Sequence, residues 1–164
     1  MKLPVALSVL LALSTPAAAA AAPVGSDAAR CQAGGPALLV AVSGLKSPSG
    51  RLRVQTYGAR PADFLAKGRK LRRVDLPVTA TAMDVCIAVP GPGRYAVAVR
   101  HDTKTNGSDW NDGGGFSRNP RLSLFNYEPK HSQVAFNAGA GVSRVPVVMQ
   151  YRNGASIGPI RRGG

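Results

Sequence analysis

Most of the polar side chains whose types and spacing could do chemistry lie between Gly93 and Asn119. An apolar run leads into His101 and Asp102. A long loop then carries Asn106, Gly107, Asp109, Trp110, Asn111 and Asp112 up to three consecutive glycines. Three chemistries fit parts of this loop. A cation site would use Asp102, Asn106 and Asp109, with Asn111 and Asp112 in reserve, because alternating oxygen ligands around a glycine turn resemble the opening of a calcium loop. Lys104 puts an ammonium where that loop needs a carboxylate, and no closing glutamate follows. A hydrolase would pair His101 with Asp102 and take Ser108 or Ser117 as nucleophile. Neighbours on a strand face opposite sides, however, and the chain has no G-x-S-x-G elbow. His131 stands apart, and no paired carboxylates or Cys/His cluster occur elsewhere.

The third reading is structural and is preferred. Asp and Asn side chains bond to nearby amides and fix turns, and Asn106-Gly107 is a strong turn signal. His101 would satisfy buried loop carbonyls. Trp110 and Phe116 would anchor the loop by packing onto the end of the fold, with Trp110 as an exposed platform for a sugar ring as the alternative. The expected catalytic set is empty, and no cofactor is expected unless calcium occupies the loop.

Charge supplies a second line of evidence. The chain carries 21 Lys and Arg against 8 Asp and Glu, a net charge of +13. The densest basic run spans Lys67 to Arg73 and contains Lys67, Arg69, Lys70, Arg72 and Arg73; Arg161 and Arg162 follow near the end. Such a balance favours an anionic partner, either an envelope component with lipid or phosphate groups or an acidic polysaccharide. Nucleic acid is not expected, since the basic run lacks interleaved aromatics and any known binding motif. A solvated basic surface that aids solubility is the plainer alternative.

Residues 1–22 read as a signal peptide. Lys2 precedes a short apolar run from Val5 to Leu13, Pro16 breaks it, and the alanines from 17 to 22 offer small-residue cleavage sites. The run is shorter than the roughly 20 apolar residues that span a bilayer, and no later segment reaches that length. The expected protein is therefore secreted, in the periplasm, with no transmembrane segment after cleavage. Cys31 and Cys86 are the only cysteines, and in an oxidising compartment an even pair is read as a disulfide.

Elements that could position the loop follow from periodicity. Residues 23–36 form an irregular lead-in. Alternation marks strands over Ala37–Leu45, Arg51–Tyr57, Met83–Val89, Ser132–Ala138 and Ser143–Tyr151, while Arg94–Asp102 is apolar on both faces and reads as central. Pro77 and Pro146 place their segments at sheet edges. One helical turn is expected after Pro61, folding Phe64 and Leu65 back onto the body. Many short strands between glycine- and proline-rich turns give an all-β fold, an antiparallel β-sandwich of about seven strands over residues 37–152. Residues 153–164 lack periodicity and form a mobile or surface-laid basic tail.

The ordered set GRLRVQTY (Gly50–Tyr57), GPGRYAVAVRHD (Gly91–Asp102) with Asn106-Gly107 behind it, GGGFSRN (Gly113–Asn119) and VPVVMQYR (Val145–Arg152) resembles the exported DUF2141 family. The resemblance covers roughly residues 37–152. It implies an Ig-like or transthyretin-like sandwich in a bacterial envelope, with no established reaction, substrate or cofactor. Two departures stand out: Lys104 occupies a place where that family's loop carries Asn or Asp, and Gly113–Gly115 replace a Pro-x-Glu element. The expected function is a non-catalytic envelope binding or structural module with an anionic partner. The alternatives are a calcium-stabilised carbohydrate-binding module and, less favoured, a hydrolase using His101.

Overall fold

A computed structural model describes residues 21–104 and 109–160. The signal-like segment up to residue 20, Asn106, Gly107, Ser108, Arg161 and Arg162 lie outside the described residues.

A short helix α1 (Ala28–Gln32) precedes strands β1 (Ala37–Ser43) and β2 (Arg51–Tyr57), then one 3₁₀ turn at Pro61–Asp63. Strands β3 (Arg72–Pro77), β4 (Met83–Ala88), β5 (Gly93–Asp102) and β6 (Gly113–Phe116) follow. A single turn α2 (His131–Val134) leads to β7 (Phe136–Ala138), β8 (Val142–Val148), β9 (Gln150–Asn153) and β10 (Ser156–Gly158). The fold is an all-β sandwich of two facing sheets. The smaller has the order β4-β1-β8, and the larger β10-β9-β6-β5-β2-β3 with β7 attached to β5.

Alternation decides which residues meet between the layers. Leu38, Val40 and Val42 of β1 pack with Leu52 and Val54 of β2, Val85 and Ile87 of β4, and Val97 and Val99 of β5, all essentially fully buried. Removing that apolar surface from water is the main stabilising term, at about 25 cal/mol per Å². Strand β5 is buried on both sides. Its outer face, Ala96 and Ala98, lies under a second cluster of Tyr57, Phe116, Leu122 and Val134, with Phe64 and Leu65 packed against it. Phe64 meets both Tyr57 and Phe116 edge-to-face, at 5.3 and 6.1 Å between centroids.

Several features differ from the sequence expectation. The described residues form ten strands against about seven expected, and Ser132–Ala138 is not one strand, since His131–Val134 makes a helical turn and only Phe136–Ala138 pairs. β1 and β8 pair in parallel, from Ala37 opposite Val142 to Ser43 opposite Val148. The segment read as one strand over 143–151 divides at Met149, where the chain leaves the small sheet and enters the large one; Met149 N–H still donates to Ser43 O at 2.9 Å. The tail is not featureless, since Ser156–Gly158 folds back on β9 as a hairpin. The lead-in is not irregular throughout either. Val24 bridges beside β4, bonding Asp84 O and Cys86 N–H, and α1 follows. Both proline-bearing strands, β3 and β8, lie at sheet edges as expected. No helix among the described residues is long and apolar enough to cross a membrane.

Two covalent and ionic ties hold the lead-in. Cys86 faces away from the sandwich core and is bonded to Cys31 of α1, with Cα atoms 6.0 Å apart across 55 residues of sequence. The Asp27 carboxylate receives the Arg72 guanidinium, at 2.7 Å from Nε, and the Ala88 N–H at 2.8 Å. It thereby links β3 of one sheet to β4 of the other. The Arg72 contact holds the Asp27 carboxyl below the usual carboxylate range. Reducing the disulfide, or replacing both cysteines by serine, is expected to lower unfolding free energy by about 4 kcal/mol from loop-closure entropy. Equilibrium urea unfolding with and without reductant measures this, and an unchanged midpoint would refute it.

Candidate functional site

The acidic groups that a cation site would need are already paired. On the outer face of the large sheet, Arg73, Asp75, Arg53, Asp102, Arg100 and Asp112 form one continuous ladder across β3, β2, β5 and the loop. Register produces it: Arg53 lies opposite Asp75 on one side and Arg100 on the other. Arg53 reaches Asp75 at 3.0 Å and Asp102 at 3.7 Å, and Arg100 joins Asp102 to Asp112. Asp112 also accepts the N–H groups of Thr103 at 3.0 Å and Asp109 at 2.8 Å. Asp109 holds Lys104 and accepts Asn111 N–H at 3.0 Å, while Asn111 Oδ1 accepts Lys46 Nζ at 3.0 Å. Asp102 and Asp109 thus serve different protein cations and share no partner. Their side chains brace the loop.

His101 faces inward and is fully buried. Its Nε2 lies 2.8 Å from the Ser49 carbonyl, an acceptor only, so Nε2 carries the hydrogen. Its Nδ1 lies 2.7 Å from Tyr151 Oη, which also accepts Lys46 N–H at 3.0 Å. Burial pushes the Tyr151 phenol up to about 12. Both ring nitrogens are engaged away from solvent. Ser117 is equally sealed, accepting Val97 N–H and donating to Val134 O at 2.7 Å. His101 and Ser117 are therefore engaged in bracing bonds, Asp102 belongs to the ion ladder, Ser108 lies outside the described residues, and His131 bonds Gly58 O beside Phe64.

The glycine triplet divides by the strand's two-residue period. A Cβ on Gly113 would lie 2.4 Å from the Tyr151 ring, and one on Gly115 2.7 Å from Val147. Gly50 is constrained as well, with φ of +84° and the Asp102 carbonyl 2.2 Å from any added Cβ. Gly114 faces outward, and an added Cβ would meet nothing within 4 Å.

That outward face forms an open trough where the second cluster stops. Gln55, Ala98 and Gly114 line it together with Lys67, Lys70, Tyr127 and Glu128; the cleft holds about 460 Å³. A second cleft of about 290 Å³ shares Gly114, Phe116 and Tyr127 and continues to Trp110, Leu124 and Arg152. Trp110 does not pack onto the sandwich, contrary to expectation. It is 76 % exposed, and its ring carries the Arg152 guanidinium 4.1 Å from the centroid. Its neighbour Tyr127 is 61 % exposed, and Phe125 is 99 % exposed at the tip of a tight turn between Ser123 and Asn126.

The basic run is not one patch. Arg72 is held by Asp27, Arg73 by Asp75, and Arg69 lies 3.9 Å from Asp63. Only Lys67 and Lys70 reach the trough. Sequence reading missed Gln55, Gly114, Tyr127 and Arg152. The available signal was residues 121–127, RLSLFNY, an apolar stretch without strand alternation that no element claimed.

A bacterial family match spans residues 40–145, covering β2 to β7 and most of β8. The chain belongs to DUF2141. That family is described as an uncharacterized protein conserved in bacteria. No curated protein and no solved structure matches the chain. In this DUF2141 member the ladder makes a pH prediction. Burial raises the Asp75 and Asp112 carboxyls, but Arg73 and Arg53 at Asp75, and the Asp109 and Thr103 amides with Arg100 at Asp112, outweigh it and hold both low. Their folded pKa values lie below the unfolded value of about 3.9, so their stabilisation is complete above it and is lost as pH falls through the folded values. Melting temperature should fall as pH drops below the unfolded value of about 3.9, and less steeply in Asp112→Asn. A flat profile by circular dichroism would contradict the ladder.

Proposed function

We propose that this protein is an exported, non-catalytic binding module of the bacterial envelope that engages an anionic partner electrostatically. One observation carries the reading: every aspartate is ion-paired within the protein. Asp27, Asp63, Asp75, Asp84, Asp102, Asp109 and Asp112 each face an arginine or lysine. Arg51, Lys67, Lys70, Arg94, Arg121 and Lys130 form no ion pair among the described residues. Exposed Glu128 is the one carboxylate side chain without an ion pair among the described residues, so the uncompensated surface charge is positive in excess.

Export is supported by the signal-like start of the sequence and by the Cys31–Cys86 bridge, which suits an oxidising compartment. A non-catalytic role is supported by the sealed positions of His101 and Ser117.

Attraction between exposed charges is screened within about 10 Å at 0.1 M salt, so binding should be strongly salt-dependent. Purified protein is expected to bind an immobilised acidic polysaccharide or phosphatidylglycerol vesicles in low-salt buffer and to elute as salt approaches about 0.5 M. Binding that persists unchanged at high salt, or no binding to any polyanion, overturns the reading.

A further inference from the structure

We propose that the trough over Gly114 is a binding site for an acidic oligosaccharide whose sugars carry carboxylate or phosphate. This rests on the anionic-partner reading above and gives it a location and a ligand class.

Packing accounts for two glycines of the triplet and leaves the third unexplained. Gly113 and Gly115 must lack a Cβ because Tyr151 and Val147 occupy that space. A Cβ on Gly114 would meet no neighbour and its φ is not left-handed, so neither packing nor backbone conformation requires glycine there. What a side chain there would do is fill the bottom shared by the two clefts. Glycine in a strand interior weakens the strand and often marks a site of close approach by a ligand.

The lining carries Lys67, Lys70 and Arg100 against Asp112 and Glu128; Arg100 and Asp112 pair with each other, so the charge left for a ligand is cationic by one. Gln55 projects from β2 beside Ala98, and its amide makes no hydrogen bond among the described residues. It offers a donor and an acceptor to hydroxyl groups. Lys67 and Lys70 supply ammonium groups for carboxylate or phosphate. Tyr127 lines both clefts and keeps most of its ring exposed, as does Trp110 further along. A pyranose ring has an apolar C–H face that stacks on such rings, and its hydroxyls and anionic substituents need the polar groups. Two joined clefts suit an oligosaccharide. An acyl chain fits poorly, because it would strip water from Gln55 and both lysines without replacing their hydrogen bonds. A lipid surface would instead meet the protruding Phe125 and leave Gly114 untouched.

Trp110 is the only tryptophan, so its fluorescence reports on the site directly. Wild-type protein would be titrated with a hexuronate oligomer, a sugar-phosphate polymer, a neutral glucose oligomer and phosphatidylglycerol vesicles. Parallel titrations would use Gly114→Leu, the pair Lys67→Gln/Lys70→Gln, and a charge-matched control, Arg51→Gln/Arg94→Gln, outside the trough. Melting temperatures would establish that each variant is folded. The expected result is that one or both acidic saccharides shield Trp110 from acrylamide and the neutral oligomer does not. Gly114→Leu and the trough lysine pair should each lose about tenfold or more in affinity, and the control pair far less. Which acidic arm binds identifies carboxylate or phosphate as the anion. Saccharide binding by folded Gly114→Leu equal to wild type overturns the site while leaving the anionic-partner reading intact. Vesicle binding alone, abolished by Phe125→Ser, overturns it in favour of a lipid surface. Absence of binding to every polyanion removes the underlying reading itself.

Discussion

The structure turns on the burial of β5 from both sides. Its inner residues Val97 and Val99 face the small sheet, and its outer residues Ala96 and Ala98 lie under Tyr57, Phe116 and Val134. A strand that is apolar on both faces cannot leave either to water, so the chain must provide a second cover beyond the sandwich. Segments 59–70 and 117–135 supply it, through Phe64 and Leu65 from one and Leu122 and Val134 from the other. That cover reaches only part of the strand. From Arg100 onward the outer face is charged, with Arg100 partly exposed and Asp102 covered within the ladder, and the trough lies where the two regimes meet.

Electrostatics follows the same boundary. On the charged part of the large sheet, register sets Arg53 between Asp75 and Arg100, and Asp102 and Asp112 lie within reach of those two arginines, so each acidic group has cationic neighbours. Exposed pairs of this kind contribute little singly, about 0–1 kcal/mol each. Their larger consequence is that the loop's carboxylates are committed. A divalent cation would have to displace Arg53 or Arg100 from Asp102, and Lys104 from Asp109. The positive excess is then carried by residues outside the ladder, two of which, Lys67 and Lys70, line the trough.

Period-two alternation made the inward faces of β1, β2 and β4 legible in the sequence, and the doubly apolar run over 94–99 marked the central strand. Pro77 and Pro146 marked edges because proline offers no N–H to a neighbour on its free side. The disulfide was legible from the even cysteine count and the signal-like start of the sequence. The parallel pairing of β1 with β8 was not, since its partners are about a hundred residues apart and local pattern says nothing of direction. Asp27 carried no local signal either: its role depends on Arg72 and Ala88 arriving from elsewhere. Trp110 misled because a large aromatic ring is expected to bury its area, whereas here Arg152 covers part of the ring and the rest stays wet. The ion ladder needed three strands in register before its members could be recognised as partners.

Strand parity explains why the trough has the floor it has. On β6, Gly114 and Phe116 point to the same outer side, opposite Arg100 and Ala98 of β5. Phe116 reaches Phe64 and closes the covered half of the face. Two residues earlier, glycine leaves the face open beside Arg100. A residue of Phe116's size at both positions would extend the cover across the trough and bury the Arg100 end of the ladder, at the cost of desolvating its charges. A small residue at 114 avoids that cost, as alanine would also do. Glycine differs from alanine by lowering the floor of the trough to the level of the β6 backbone, so that a ligand lying there could approach the sheet more closely.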